Sequence, residues 1–357
     1  MKNYDLVVIE GDGIGKELTA AAILVLKETE KILNTFQFTL KFHQAGAKFY
    51  RQHGINISAE TIDEIKLSKV MMKGPVGLPD VRLSDGTEAG LLGGVLRTGL
   101  DVFANVRPVK LFPGVDAPLN KKPGEIDYVI VRENTEGLYL SRGRGVGNDS
   151  AMTDTLMITR NGTERVVRFA FELARRREGT PSTKIRRVTC VDKSNVLASY
   201  SLFRKIFFEV AEDYPDIEHE CLYADAAAQA LVMHPNDFDV LVMENFLGDI
   251  LSDLGGGTVG GIGLCPSGNI GNKYAYFEPI HGSAPDIAGQ GIASPISQIL
   301  STGMMLDHLG EHKAAELISN AVYFALETGD LKIDTNGQPH GGTMKASEVI
   351  AEGLRGN

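Results

Sequence analysis

The chain has 357 residues, 43% of them hydrophobic, with 40 glycines and no tryptophan. That is enough for one large or two ordinary domains with substantial cores, and it argues against disorder. A net charge of −10 with no basic block disfavours a nucleic-acid partner, since phosphate binding needs concentrated Lys and Arg. No apolar stretch reaches membrane-spanning length, and Met1–Ile9 is too short and too acidic for a signal peptide. No membrane partner is expected. The three cysteines, Cys190, Cys221 and Cys265, lack metal-ligand spacing, and Cys190 lies within the apolar run Val188–Val191. They read as reduced thiols of a cytoplasmic protein.

Leu6–Ile9 opens the chain as a short buried strand, followed by Gly11-Asp12-Gly13-Ile14-Gly15 and the amphipathic stretch Glu17–Leu33. The third glycine comes one residue too early for the G-x-G-x-x-G fingerprint, so the turn is not a Rossmann signature. It lets the backbone approach a ligand closely, or it is simply a tight turn. Val70–Met72, Tyr128–Val131, Val188–Val191 and Val240–Met243 are further buried strands, with the helical segments Glu164–Arg177 and Ser201–Asp213 between them. This alternation predicts an α/β fold, a mostly parallel sheet with helices on both faces. Several strands end in polar residues, Glu10-Gly11, Arg132-Glu133, Asp192-Lys193 and Glu244-Asn245, as the shared rim of a ligand site would.

Three arginines stand out along the way: Arg97, Arg107 in Asn105-Val106-Arg107-Pro108, and Arg132. Converging guanidinium forks suit a di- or tricarboxylate, whereas singly each is an ordinary surface charge or structural pair. Tyr139 and Lys193 are candidate proton-transfer groups, a role that needs partners near them. After Val240–Met243, Asp249 and Asp253 lie four apart at the opening of a predicted helix and so share one face. Two adjacent carboxylates call for a cation between them, and oxygen-only ligands suit Mg²⁺ or Mn²⁺. A solvated acidic face is the other reading. The segment Glu278–Gly289 mixes turn formers with His281 and Asp286 and marks a functional loop. An acidic group bonded to a ribose diol there would favour NAD over NADP.

Taken together, Asn105–Pro108, Arg132–Tyr139, Asp192–Asn195, Gly248–Asp253 and Glu278–Gly289 resemble the motifs of the β-decarboxylating dehydrogenases, in the same order and nearly end to end. These are the isocitrate, 3-isopropylmalate, homoisocitrate and tartrate/D-malate dehydrogenases. The resemblance implies their two-domain fold, distinct from Rossmann, with residues 1–104 and 257–357 in a cofactor-side domain and 105–256 in a second, dimerisation and metal-site domain. It implies a homodimer with shared active sites. Asp249 and Asp253 match metal ligands of one subunit and Asp225 the ligand lent by the other. Lys193 matches the lysine that helps deprotonate the substrate hydroxyl, and Tyr139 the acid that protonates the enol. Arg97, Arg107 and Arg132 match the carboxylate clamp. Ile14, His281, Gly282, Ser283, Ala284, Asp286 and Ser294 match the adenosine side of the cofactor site. Asp286 stands where relatives that use NADP carry lysine, which points to NAD.

Glu88-Ala89-Gly90-Leu91-Leu92 resembles the stretch by which isopropylmalate dehydrogenases hold an alkyl group, so Glu88, Leu91 and Leu92 are expected at the substrate. Gly93-Gly94 read as inserted before Arg97, Asn134–Gly137 is closer to the isocitrate and tartrate branches, and Ser294 replaces the usual Asn. The expected substrate is 3-isopropylmalate, then tartrate or D-malate, then isocitrate or homoisocitrate. A non-catalytic regulatory subunit is the rival class. The presence of Tyr139, Lys193, Asp225, Asp249 and Asp253 argues against it.

Overall fold

The computed structural model describes residues 1–356. The first third runs β1 (Lys2–Ile9), α1 (Gly15–Leu33), β2 (Phe36–His43), α2 (Ala47–His53), α3 (Ala59–Ser68), β3 (Val70–Lys73), α4 (Gly93–Gly99) and β4 (Ala104–Lys110). The middle holds β5 (Asp127–Glu133), the short pair β6 (Val146–Asn148) and β7 (Ala151–Thr153), α5 (Arg160–Arg176), β8 (Arg187–Asp192) and α6 (Ala198–Ala211). It continues through β9 (Glu218–Tyr223), α7 (Ala224–Met233), β10 (Val240–Met243) and α8 (Asn245–Thr258). The chain closes with β11 (Pro266–Ile270), β12 (Ala275–Pro279), α9 (Ile296–His308), α10 (His312–Thr328) and α11 (Gly342–Gly353).

Ten strands make one sheet in the order β2-β1-β3-β12-β11-β4-β5-β10-β8-β9. All five strands expected from the sequence are present and pair parallel with one another where they are neighbours. The centre differs. The pairs β12·β11, β11·β4 and β4·β5 are antiparallel, so the sheet reverses direction where its two halves join. The expected helices start a little earlier than predicted, because their caps lie outside the apolar repeat. The Thr159 hydroxyl, for instance, accepts from the Gly162 amide to open α5.

The inner strands are buried along their apolar runs, and successive residues turn to opposite cores, as two covered faces require. Leu6 and Val8 join a core with α1, α9, α10 and α11, while Val7 and Ile9 join another with Leu92 and Leu96. In the other half, Val129, Val131, Val240 and Val242 pack with residues of α5 and α6. Tyr128, Ile130, Leu241 and Met243 face the side of α7 and α8. Among the described residues no helix is long and apolar enough to cross a membrane.

The first glycine turn is a docking device. Asp12 is buried, and its carboxylate accepts the amides of Ala47 (2.7 Å), Lys48 (2.9 Å) and Gly77 (2.9 Å). Gly11 and Gly13 have positive φ, and a Cβ on either would strike the carbonyl of Pro75 or Ser283.

Candidate active site

The site lies where β5, β4 and the first turns of α8 meet. Arg132, at the end of β5, is almost wholly buried, and Asn245 fixes its fork by accepting from Nε at 3.0 Å and from the second terminal nitrogen at 2.8 Å. The remaining terminal nitrogen pairs with Asp249. Gly248 makes this approach possible, since a Cβ there would lie 2.6 Å from both Cβ and Cγ of Arg132. On β4, Arg107 donates to Asn105 Oδ1 and Ser252 Oγ, each at 2.6 Å. Its guanidinium stands 3.4 Å from Asp249 and 3.6 Å from Asp253. The Tyr139 hydroxyl donates to Asp249 at 2.7 Å, and its ring lies over the Arg132 guanidinium at 5.6 Å. Arg97, on α4, keeps a buried Nε without a partner.

The expected carboxylate clamp, tyrosine and aspartate pair are therefore one cluster, with α8 supplying both aspartates on one face. Burial pulls Arg132 down to about 9, with the charges of Arg97 and Arg107 adding to it and Asp249 opposing. At neutral pH three guanidiniums still face two carboxylates, an excess of positive charge that an anionic ligand relieves. Burial pushes Asp249 up, but Arg132 and Arg107 outweigh it and hold the carboxyl down. Asp253 goes up, through burial and the charge of Asp249, with Arg107 opposing. Tyr139 is pushed to about 12 by burial first and by its bond to Asp249 second. It keeps its proton at neutral pH, as a proton donor must. The donor set on α8 is oxygen-only, and Asp253 is largely open to solvent. Both features fit a hard divalent cation.

Lys193 and Asp225 meet elsewhere. Lys193 follows β8, Asp225 sits in the first turn of α7, and their charged atoms are 2.5 Å apart. Among the described residues neither forms an ion pair or hydrogen bond with Asp249, Asp253 or the three arginines.

The other polar strand ends do structural work. Glu133 accepts the amides of Thr135 and Glu136. Glu244 caps α8 and accepts from the Leu138 amide and the Tyr200 hydroxyl, and Asp192 is held by Arg204. Of that rim, Arg132 reaches Asp249 and Asn245 holds Arg132 in place, so the expectation of one shared rim was too broad.

The loop after β12 borders a cavity of about 360 Å³ lined by Ile14, His281, Gly282, Ala284 and Ser294. It also takes in Asn336, Gly337 and Gln338, from a C-terminal turn that carried no sequence signal. Burial pushes the His281 imidazole below its usual range. Asp286 is exposed and does not line this cavity. The Ser283 hydroxyl is buried and committed to the Gly77 carbonyl at 2.5 Å, so it holds the loop rather than facing the cavity. A larger cavity, about 1060 Å³, lies on the α5 side of β4 and contains none of the predicted residues.

Near the arginines, Glu88 and Leu91 both border Gly77, and Glu88 pairs with Arg82 at 3.4 Å. Leu92 is a correction. It is fully buried in the core with Val7, Ile9 and Leu96, and it immediately precedes α4, so it packs the protein interior rather than lining a pocket. Gly93 and Gly94 form the first turn of that helix, and Gly93 lies against the Arg97 guanidinium.

A buried polar chain went unpredicted. Lys73 pairs with Glu278 at 2.5 Å, and Glu278 accepts from Asn269 at 3.0 Å. The Asn269 oxygen in turn accepts from Asn105 and Asn134. Through Asn105 this chain reaches Arg107 and the aspartates. Burial alone would raise Glu278, but Lys73 and Arg97 keep it down.

Comparison with known proteins agrees with this geometry. The family model described as isocitrate/isopropylmalate dehydrogenase matches residues 5–352. A 3-isopropylmalate/3-methylmalate dehydrogenase of Methanocaldococcus jannaschii is 43% identical over 99% of both chains. An isocitrate/homoisocitrate dehydrogenase of Thermus thermophilus is 41% identical, again over 99% of both. The crystal structure of isocitrate dehydrogenase from Methylococcus capsulatus superposes with a TM-score of 0.86 at 37% identity, covering 99% of each chain. These matches define an oxidoreductase, of a family that is NAD(P)-dependent with a divalent metal. The chain belongs to the isocitrate/isopropylmalate dehydrogenase family.

Proposed function

We propose that the enzyme carries out NAD⁺- and Mg²⁺- or Mn²⁺-dependent oxidative β-decarboxylation of a 2-hydroxy dicarboxylate, with 3-isopropylmalate as the foremost substrate. One observation carries this reading: Arg97, Arg107 and Arg132 converge beside Asp249, Asp253 and a protonated Tyr139. Relatives named for 3-isopropylmalate support the substrate, among them one from Corynebacterium glutamicum at 40% identity.

The arginines bind and orient the two carboxylates, and Arg132 gains most from a dianion because its neighbours now crowd it. Asp249 and Asp253 would hold the metal, which when bound would supply Lewis-acid polarisation of the substrate's oxygens. Lys193 would relay the hydroxyl proton away, and a bound dinucleotide would accept the hydride of C2. Tyr139 returns a proton to C3 after carbon dioxide departs, and its high pKa keeps that proton in place until then. Lys193 and Asp225 bond each other and not this cluster, and the reading includes a homodimer in which each subunit lends them to the other. It also includes the division of residues 1–104 with 257–357 from 105–256, in keeping with cores that draw on both chain ends or on the middle. The cavity beside Ile14 and His281 takes the adenosine, and the exposed Asp286 near it favours NAD⁺.

The burial of Leu92 favours a second reading. With one leucine fewer at the C3 substituent, tartrate or D-malate becomes the alternative, ahead of isocitrate and homoisocitrate. Rates with these five acids, NAD⁺ and Mg²⁺ decide between them. The reading expects the highest kcat/KM for 3-isopropylmalate, and a higher value for D-malate or tartrate would replace it with the second.

A further inference from the structure

Cys190 and Cys221 are far apart in sequence, yet β8 and β9 run parallel in a register that makes them direct partners. Neighbouring strands lie about 4.8 Å apart, within the Cα spacing of roughly 4.4–6.8 Å that a disulfide spans. The two Sγ atoms and a carboxylate oxygen of Asp192 lie within 4.8 Å of one another. Both thiols are free. This trio has the makings of a metal site, but Asp192 is already taken. It accepts from Arg204 Nε at 2.7 Å, from an Arg204 terminal nitrogen at 3.0 Å and from the Ser194 amide at 2.8 Å. Asp192 is wholly buried with both oxygens bound by the protein, unlike the half-open carboxylates of α8, which leaves two thiols whose own reaction is with each other.

We propose that Cys190 and Cys221 form an oxidation-sensitive dithiol, closed to a disulfide by hydrogen peroxide, that shuts down the Lys193–Asp225 pair. Their exposures assign the order of events. Cys190 is fully buried among Phe203, Phe207 and Val188, whereas Cys221 is partly open on the edge strand β9. The Cys221 sulfur attacks one peroxide oxygen, the O–O bond breaks, and a sulfenic acid and water form. The Cys190 sulfur then attacks the Cys221 sulfur, the S–O bond breaks, and a second water leaves. Two thiols lose two electrons and two protons, and one peroxide becomes two waters.

The functional consequence rests on the reading that Lys193 and Asp225 serve the reaction. β8 runs from Cys190 straight to Asp192 and Lys193, and β9 runs from Cys221 to Tyr223, where α7 and Asp225 begin. The Lys193 ammonium and the Arg204 guanidinium both lie over the Tyr223 ring, at 5.9 and 4.9 Å. Drawing the sulfurs to the ~2.05 Å of a disulfide bond turns the Cys190 sulfur away from Asp192, 3.8 Å from it, and so disturbs the carboxylate that anchors Arg204 over Tyr223 beside Lys193. A shift of about 1 Å at a proton-transfer group costs on the order of 10²-fold in rate.

The test treats the full-length reduced enzyme with hydrogen peroxide, alkylates the remaining thiols, and maps the disulfide by peptide mass. Activity is followed in parallel, before and after dithiothreitol, for wild type and Cys221→Ser. The proposal expects a Cys190–Cys221 cross-linked peptide, a loss of kcat of roughly 10- to 100-fold that dithiothreitol reverses, and resistance in Cys221→Ser. Alkylation of both cysteines after peroxide, or a cross-link that leaves kcat unchanged, overturns it. So does an equal loss in Cys221→Ser. The cross-linked mass is read without substrate, so failure of the decarboxylation reading would show separately, as an untreated enzyme inactive on every hydroxy dicarboxylate.

Discussion

Replacing Gly248 by alanine adds one methyl group at the most crowded point of the site. That carbon would lie 2.6 Å from both Cβ and Cγ of Arg132, about 1 Å inside an ordinary carbon–carbon contact of about 3.5–4.0 Å. Arg132 is nearly sealed and held by Asn245, so it has little room to withdraw. The strain is shared by a tilt of α8, which carries Asp249 and Asp253, and a push on the arginine stem. Overpacking of this kind costs about 1–3 kcal/mol in stability. A displacement of ~1 Å at the aspartates or the fork costs on the order of 10²-fold in kcat/KM. Steady-state rates from NADH absorbance and a thermal melt measure the two effects side by side. A Gly248→Ala enzyme with wild-type kcat/KM and an unchanged melt would refute the claim that this contact sets the Arg132–Asp249 geometry.

Asp253→Asn removes one of the two carboxylates on α8. It should raise the metal concentration needed for half-maximal rate by at least the roughly 10–100-fold that supporting ligands alone command, while the fold, read by circular dichroism, is kept. Leu92→Ala should lower stability by about 2–5 kcal/mol without altering substrate preference. Leu91→Ala should reduce 3-isopropylmalate turnover selectively, and competition between substrates compares the two variants. NAD⁺ should be preferred to NADP⁺ by roughly 10- to 100-fold in kcat/KM, from one lost hydrogen bond and one charge repulsion at Asp286; equal values would remove Asp286 from the ribose.

The sequence made the strands on either side of the centre easy to read, because they are unbroken apolar runs: Val7–Ile9 and Val240–Met243 are buried on both faces, whereas the edge strands β2 and β9 are partly open and went unread. The central strands were not legible for the opposite reason. β4 and β11 carry Asn105, Arg107, Ser267 and Asn269 inward to the polar chain beside the aspartates, and these residues erase the hydrophobic pattern. The paired aspartates were visible from their spacing just past a buried strand, whereas the supports of Arg132, Asn245 and Gly248, needed the third dimension. Leu92 was misjudged since sequence neighbours on a turn point opposite ways, and Leu91 alone remains by Gly77. Cys190 and Cys221 show no spacing signal because their proximity comes from strand register.

The most direct measurement is the stoichiometry of turnover. Purified enzyme supplied with 3-isopropylmalate, NAD⁺ and Mg²⁺ is followed for NADH by absorbance and for carbon dioxide by trapped label from the C3 carboxylate. The reading expects one carbon dioxide released per NADH formed, both abolished by chelator and both restored by Mg²⁺ or Mn²⁺. NADH without carbon dioxide for this and every other acid of the panel, or turnover indifferent to the chelator, would contradict it.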